Sequence, residues 1–181
     1  MAIINHLENV VGWLSDNEAR WLNLYASQIT EGCIVEIGSY QGKSTIALAL
    51  NASVPVYAID PHYNHTDEIG GAFGRQDAAY FYINIMKAKV SEKVYPIHLP
   101  SYELAGCWTK PIGLIFIDGA HSYEAVKQDI EGFLPHMVSG GIIAIHDSTW
   151  PDIERYLHEL DNNPKVQRWQ RQDSICAYQV V

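Results

Sequence analysis

Cysteine is scarce in this chain, and its basic residues are outnumbered. Cys33, Cys107 and Cys176 are the only cysteines; they lie far apart, and none forms a CxxC pair. That argues against a structural zinc site and reads as free buried thiols in a reducing, cytoplasmic setting. Lysine and arginine total 12 against 21 aspartates and glutamates, a formal net charge of −9. A chain this acidic lacks the electrostatic footprint of a general nucleic-acid binder, and an anionic membrane would repel it. Long apolar runs are also missing, so no transmembrane helix is expected. Met1–Val11 shows no basic segment followed by a cleavage site, hence no secretory signal. Repeats, low-complexity tracts and linkers are absent too. Residues 1–181 therefore read as one domain, with N-terminal helices over 1–31 and a core over 32–181.

What is present is globular: 48% of residues are hydrophobic and 18% charged. Ile3/Ile4, Leu7, Val10/Val11 and Leu14 recur at helical spacing. Ser15 and Glu18 form a capping-box signature ahead of a helix carrying Ala19, Leu22, Ala26 and Ile29, which stops near Gly32. The pattern then changes. Short apolar runs at Cys33–Ile37, Val54–Ile59, Val94–His98, Leu114–Ile117 and Ile142–Ile145 read as strands covered on both faces. Between them Lys43–Leu50, roughly Gln76–Lys89 and Tyr123–Leu134 read as helices. This alternation predicts an α/β fold with a doubly wound, mostly parallel sheet. After a helix over Ile153–Leu160, Val166–Gln170 and Ile175–Val180 read as an antiparallel hairpin at the sheet edge. That makes seven strands.

Ligands of such sheets sit at the carboxyl ends of the parallel strands. The first strand ends in Glu36 and runs into Gly38-Ser-Tyr-Gln-Gly42-Lys-Ser-Thr45, a turn feeding a helix start. Three ligand readings compete here. A phosphate loop could use Gly42, Lys43 and Ser44, but Ile37 stands where that pattern needs glycine. A dinucleotide loop needs a glycine where Tyr40 stands. The third is a loop for an amino-acid-bearing nucleotide, with Glu36 facing its ammonium. An ordinary strand-to-helix turn would also look like this. Asp60 ends the second strand, about 20 residues on, the position of a carboxylate that holds a ribose diol. Asp118, with His121 three residues later, ends the fourth strand, and His146-Asp147 ends the fifth. Two carboxylates and one or two imidazoles at neighbouring strand ends suit either a divalent cation or general-base chemistry.

The stretches Val35-Glu-Ile-Gly-Ser-Tyr-Gln-Gly-Lys-Ser-Thr45, Tyr57-Ala-Ile-Asp-Pro61, Ile115-Phe-Ile-Asp-Gly-Ala-His-Ser-Tyr-Glu-Ala-Val126 and Gly140-Gly-Ile-Ile-Ala-Ile-His-Asp147 resemble the class I S-adenosylmethionine-dependent methyltransferases. More narrowly they look like the small-molecule O-methyltransferase group that includes macrocin O-methyltransferase and the cephalosporin hydroxylase-like proteins. Gly12-Trp-Leu-Ser15 resembles that group's helix entry. The resemblance implies a Rossmann-like fold and S-adenosylmethionine as donor. It places Glu36 and the loop residues Gly38, Ser39, Tyr40 and Gly42 around the methionine moiety, with Ser44 near its carboxylate. Asp60 would bind the ribose hydroxyls and Ser101 would sit by the adenine. Asp118 would lie at the sulfonium end and, as in catechol O-methyltransferase, serve as a metal ligand together with His146 and Asp147. His121 would be the catalytic base, with Asp118 and His146 as the other catalytic candidates. The metal-dependent relatives carry a carboxylate where His146 stands; an imidazole binds Mn²⁺, Fe²⁺ or Zn²⁺ but is a poor ligand for Mg²⁺, and His146 could instead be a second base or a structural histidine.

The implied partner is a small-molecule hydroxyl acceptor, with no nucleic acid and no membrane. Five tryptophans, eleven tyrosines and four phenylalanines leave apolar area for a homo-oligomer. Segment 61–75, with His62, His65, Asp67, Glu68, Gly70, Gly71 and Gly74, is the candidate lid or acceptor wall. Two other classes stay open: a nucleotide-phosphate transferase working through Lys43, and a non-catalytic adenosine-binding protein.

Overall fold

The structure is a computed structural model that describes residues 2–63, 65–66 and 72–181. Helices α1 (Ala2–Leu7) and α2 (Asp16–Ala26) precede β1 (Cys33–Ile37), α3 (Lys43–Ala49) and β2 (Val56–Ile59). A short antiparallel pair follows, β3 (His65–Thr66) with β4 (Ala72–Phe73), then α4 (Arg75–Lys87), β5 (Val94–Ile97), α5 (Ser101–Ala105) and β6 (Ile112–Ile117). The chain ends with α6 (Tyr123–Phe133), a 3₁₀ turn, β7 (Met137–Ile145), α7 (Pro151–Leu160), β8 (Val166–Gln172) and β9 (Ile175–Val180).

The seven-stranded sheet runs β5-β2-β1-β6-β7-β9-β8. Its first five strands are parallel, and β9 and β8 add as an antiparallel hairpin. Alternate strand residues face opposite sides, which builds two cores. Ile34, Leu114 and Phe116 pack with Leu22, Ile46 and Phe81 on one side; Val35, Ile115 and Ile117 pack with Val126, Ile130 and Leu157 on the other. The order reverses at β1, which lies between β2 and β6, so the ligand crevice of this architecture opens there.

Helix α1 stops at Leu7, short of the periodic pattern through Leu14, because the chain turns at Gly12, whose φ is 154°. Helix α2 ends at Ala26, three residues before Ile29, and its Ser15–Glu18 capping box forms as the sequence indicates. Strand β7 starts five residues before Ile142 and carries Gly140 at φ 77°. Cys33 and Cys176 are buried, but Cys107 is exposed, contrary to the expectation for all three. Among the described residues no helix is long and apolar enough to cross a membrane. Asp67, Glu68, Gly70 and Gly71 of the expected lid lie outside the described residues.

Candidate active site

A cavity of about 610 Å³ opens along the carboxyl ends of β1, β2 and β6 and over the start of α5. Its floor is the β1–α3 turn. Gly38 (φ 87°) and Gly42 (φ 89°) adopt the left-handed backbone that glycine tolerates. At Gly38 a Cβ would come within 2.1 Å of the Asp118 carbonyl oxygen, so only glycine lets β1 and β6 meet here. Ser39 lines the cavity, is 2% exposed, and among the described residues its hydroxyl has no hydrogen-bond partner. A buried hydroxyl left open in this way is a point where a ligand can bond. Ser44 also lines the cavity.

Asp60 is engaged with the turn as well as with the cavity. One carboxylate oxygen accepts the Tyr40 backbone N–H at 2.8 Å and the other accepts the His62 N–H at 2.9 Å. Ser101 lines the same lobe and donates to Asp129 at 2.5 Å. Burial pushes the Asp129 carboxyl up to about 6, against the pull of that bond. The sequence reading missed Asp129. Its signal was a carboxylate inside the buried stripe of α6, between Val126 and Ile130.

Glu36 differs from its expected role. It is fully buried under the turn, is not part of the cavity wall, and accepts a hydrogen bond from Thr45. Burial pushes its pKa up to about 8 despite the bonds from Ser44 and Thr45, so it is mostly neutral at pH 7. Its second oxygen has no partner. Lys43, the residue a phosphate loop would need, donates instead to the Gly12 carbonyl at 3.0 Å. That bond ties α3 to the α1–α2 connection and speaks against a phosphate role.

At the other end of the cavity stand Asp118, His121 and Asp147. Each presents a ligand-capable atom, and the three atoms lie within 4.8 Å of one another. His121 Nε2 is 3.1 Å from an Asp147 oxygen, and its ring stacks on Trp150 at 4.5 Å. Asp147 has φ 48°, a strained backbone for an aspartate and one that clusters at functional sites. Burial opposes its charge, but His121 and His146 hold its pKa well below the carboxylate range. Burial pushes Asp118 up.

His146 adjoins this cluster from the buried side. It is 3% exposed, with Nε2 3.3 Å from Glu18 and Nδ1 3.1 Å from Asp118 and 3.3 Å from Asp147. The Nδ1 contacts are ion-pair distances, out of line for a hydrogen bond. Burial works against its charge, yet the three carboxylates outweigh that and push its pKa up to about 12. His146 is thus tied to the buried Glu18 as well as to Asp118 and Asp147.

Over the mouth, Trp13, Tyr40 and Phe73 cluster with ring centroids 5.3–6.2 Å apart. Trp13 is 67% exposed. Phe73, at the end of the expected lid, thus joins the cavity wall.

Comparison with known proteins agrees with this fold. A family model described as a methyltransferase domain matches residues 35–148. Among solved structures, cofactor-bound Rv0187 from MTB superposes with TM-score 0.77 at 19% identity, covering 99% of this chain and 88% of that one. The O-methyltransferase TomG from Streptomyces achromogenes, in complex with SAM, gives 0.76 at 17%, covering 99% and 89%. An O-methyltransferase from Bacillus cereus in complex with SAH gives 0.68 at 22%, covering 97% and 87%.

Proposed function

The chain belongs to the methyltransferase-domain family matched over residues 35–148, and from that premise we propose that it carries a methyl group from S-adenosylmethionine to a hydroxyl of a small molecule. One observation carries this reading. A single cavity is lined both by the Gly38–Ser44 turn, Asp60 and Ser101 and by Asp118, His121 and Asp147. A nucleotide-linked donor and a proton acceptor thus share one enclosure.

Gly38, Ser39, Tyr40, Gly42 and Ser44 hold the amino-acid part of the donor, with Ser39 offering its open hydroxyl. Glu36 supports this turn from behind. Asp60 accepts from the ribose while it keeps Tyr40 in place. Ser101 and Asp129 face the adenine. Asp118 lies beside the sulfonium, where a carboxylate favours positive charge. The acceptor oxygen attacks the methyl carbon in line, the carbon–sulfur bond breaks, and the hydroxyl proton passes to His121. Asp147 orients that ring and stabilises the imidazolium that forms. Alignment of the two reactants supplies much of the rate. The aromatic mouth at Trp13, Tyr40 and Phe73 favours an acceptor with an apolar body, and the net charge of −9 disfavours nucleic acid.

The donor set Asp118, His121 and Asp147 also fits a divalent cation, of the Mn²⁺, Fe²⁺ or Zn²⁺ kind rather than Mg²⁺, because of its imidazole. When bound, such an ion lowers the pKa of the hydroxyl. No step above depends on it.

The test is transfer of label from methyl-labelled S-adenosylmethionine to hydroxyl-bearing metabolites, beside donor binding by the Asp60→Ala variant. Label is expected in an acceptor ether. Asp60→Ala is expected to weaken donor binding by about 1–3 kcal/mol, since both ribose bonds and the turn's anchor are lost. Wild-type affinity in Asp60→Ala would remove the carboxylate from the donor site.

A further inference from the structure

Behind the turn runs a chain of hydrogen bonds that ends at the protein surface. His62 Nε2 lies 2.7 Å from the Tyr40 carbonyl oxygen, and its Nδ1 lies 3.0 Å from His98 Nδ1. His98 Nε2 lies 2.8 Å from the Tyr82 hydroxyl. His62 follows β2, His98 follows β5, and Tyr82 is on α4.

The proton positions follow from chemistry. A carbonyl oxygen only accepts, so His62 Nε2 carries hydrogen and donates to Tyr40. A neutral His62 then has a bare Nδ1, which accepts from His98 Nδ1–H. His98 Nε2 is in turn bare and accepts from the Tyr82 hydroxyl. Every donor finds one acceptor when both rings are neutral.

The residue at the end of this chain is the strained one. Tyr40 has φ 43°, as unusual for an aromatic residue as the φ 48° of His62. Asp60 holds the Tyr40 N–H and the His62 N–H, while His62 holds the Tyr40 carbonyl. Asp60 and His62 thus hold Tyr40 from both its N–H and its carbonyl. We propose that His62 is a positioning residue that clamps the donor-binding turn through Tyr40.

This rests on the reading that the turn seats S-adenosylmethionine. Among the described residues the pair is faced by the Asp60 carboxylate, 3.8 Å from His62 Nδ1, the Tyr82 hydroxyl and the Tyr40 carbonyl; the Phe81 ring packs beside them.

The experiment is calorimetric titration of S-adenosylhomocysteine at pH 8 with wild type, His62→Ala and His62→Gln. His62→Ala should bind about tenfold more weakly, the worth of one hydrogen bond. His62→Gln keeps an amide N–H for Tyr40, so it should bind near wild type. The clamp is overturned if His62→Ala matches wild type, or if His62→Gln binds as weakly as His62→Ala. Wild type that binds no S-adenosylhomocysteine at pH 8 overturns the donor reading, and the clamp with it.

Discussion

Replacing His121 with alanine is expected to cut methyl transfer by about 10²–10⁴-fold, the usual worth of a positioned base, while donor affinity and melting temperature stay near wild type. The ring is held from two sides: Asp147 lies 3.1 Å from Nε2, and Trp150 stacks on its face. Those contacts fix the base over the β6 end beside Asp118, where the sulfonium is placed. The nucleotide contacts are assigned to the turn, Asp60 and Ser101, so loss of the ring is expected to leave them intact. It is partly exposed, with 24% of its side-chain surface accessible, so its removal opens no large buried void. A protonated His121 would repel the sulfonium and accept nothing, so turnover should fall on acidification in wild type. If His121→Ala lowered the melting temperature and left turnover intact, the ring would be a packing partner of Trp150 and another group would be the base.

The second large effect is on stability. Replacing His146 with leucine should destabilise the fold by about 3–5 kcal/mol, because three carboxylates lose their shared cation and one of them, Glu18, is itself buried. For a chain of this size that is a fall of roughly 10 °C in melting temperature. The pH profile is distinctive. His146 is raised from 6.5 to about 12, so its contribution is complete below pH 6.5 and fades as pH rises toward 12. Glu18 is lowered from 4.5 to about 2 by His146, Ser174 and Ser15, against the opposing effect of burial. Its contribution is complete above pH 4.5 and is lost as pH falls toward 2. The gap between wild type and His146→Leu should therefore be widest between these limits and narrow on both sides. Thermal melts across pH measure it, and a constant gap would show that His146 acts by packing alone.

The sheet was legible in the sequence because β1, β2, β6 and β7 are short apolar runs ended by charged residues or by glycine. Their termini deliver Asp60, Asp118 and Asp147 to one edge, and chain order alone made that visible. Helix α5 was not legible, since Ser101–Ala105 is one turn long and follows Pro100 without a side-chain cap. Periodicity ran past Leu7 because Val10, Val11 and Leu14 mimic a helical stripe that Gly12 interrupts. The surroundings of His146 were hidden for a different reason. Its neighbour Asp147 lines the cavity, while His146 itself is buried. The ring turns toward Glu18, 128 positions away in the chain. Glu18 itself reads as a capping residue and does cap α2, while also accepting from Ser174 and His146. A long-range charge partner leaves no local pattern. The same holds for His62, whose role depends on His98 and Tyr82 from two other elements.

The central claim is that the cavity at the β1–α3 turn takes S-adenosylmethionine, and competitive calorimetry with S-adenosylhomocysteine and ATP tests it most directly. One S-adenosylhomocysteine per chain should bind, Asp60→Ala should weaken it, and ATP should neither bind comparably nor displace it. Tight ATP binding that disappears in Lys43→Ala, with no heat from S-adenosylhomocysteine, would contradict the claim.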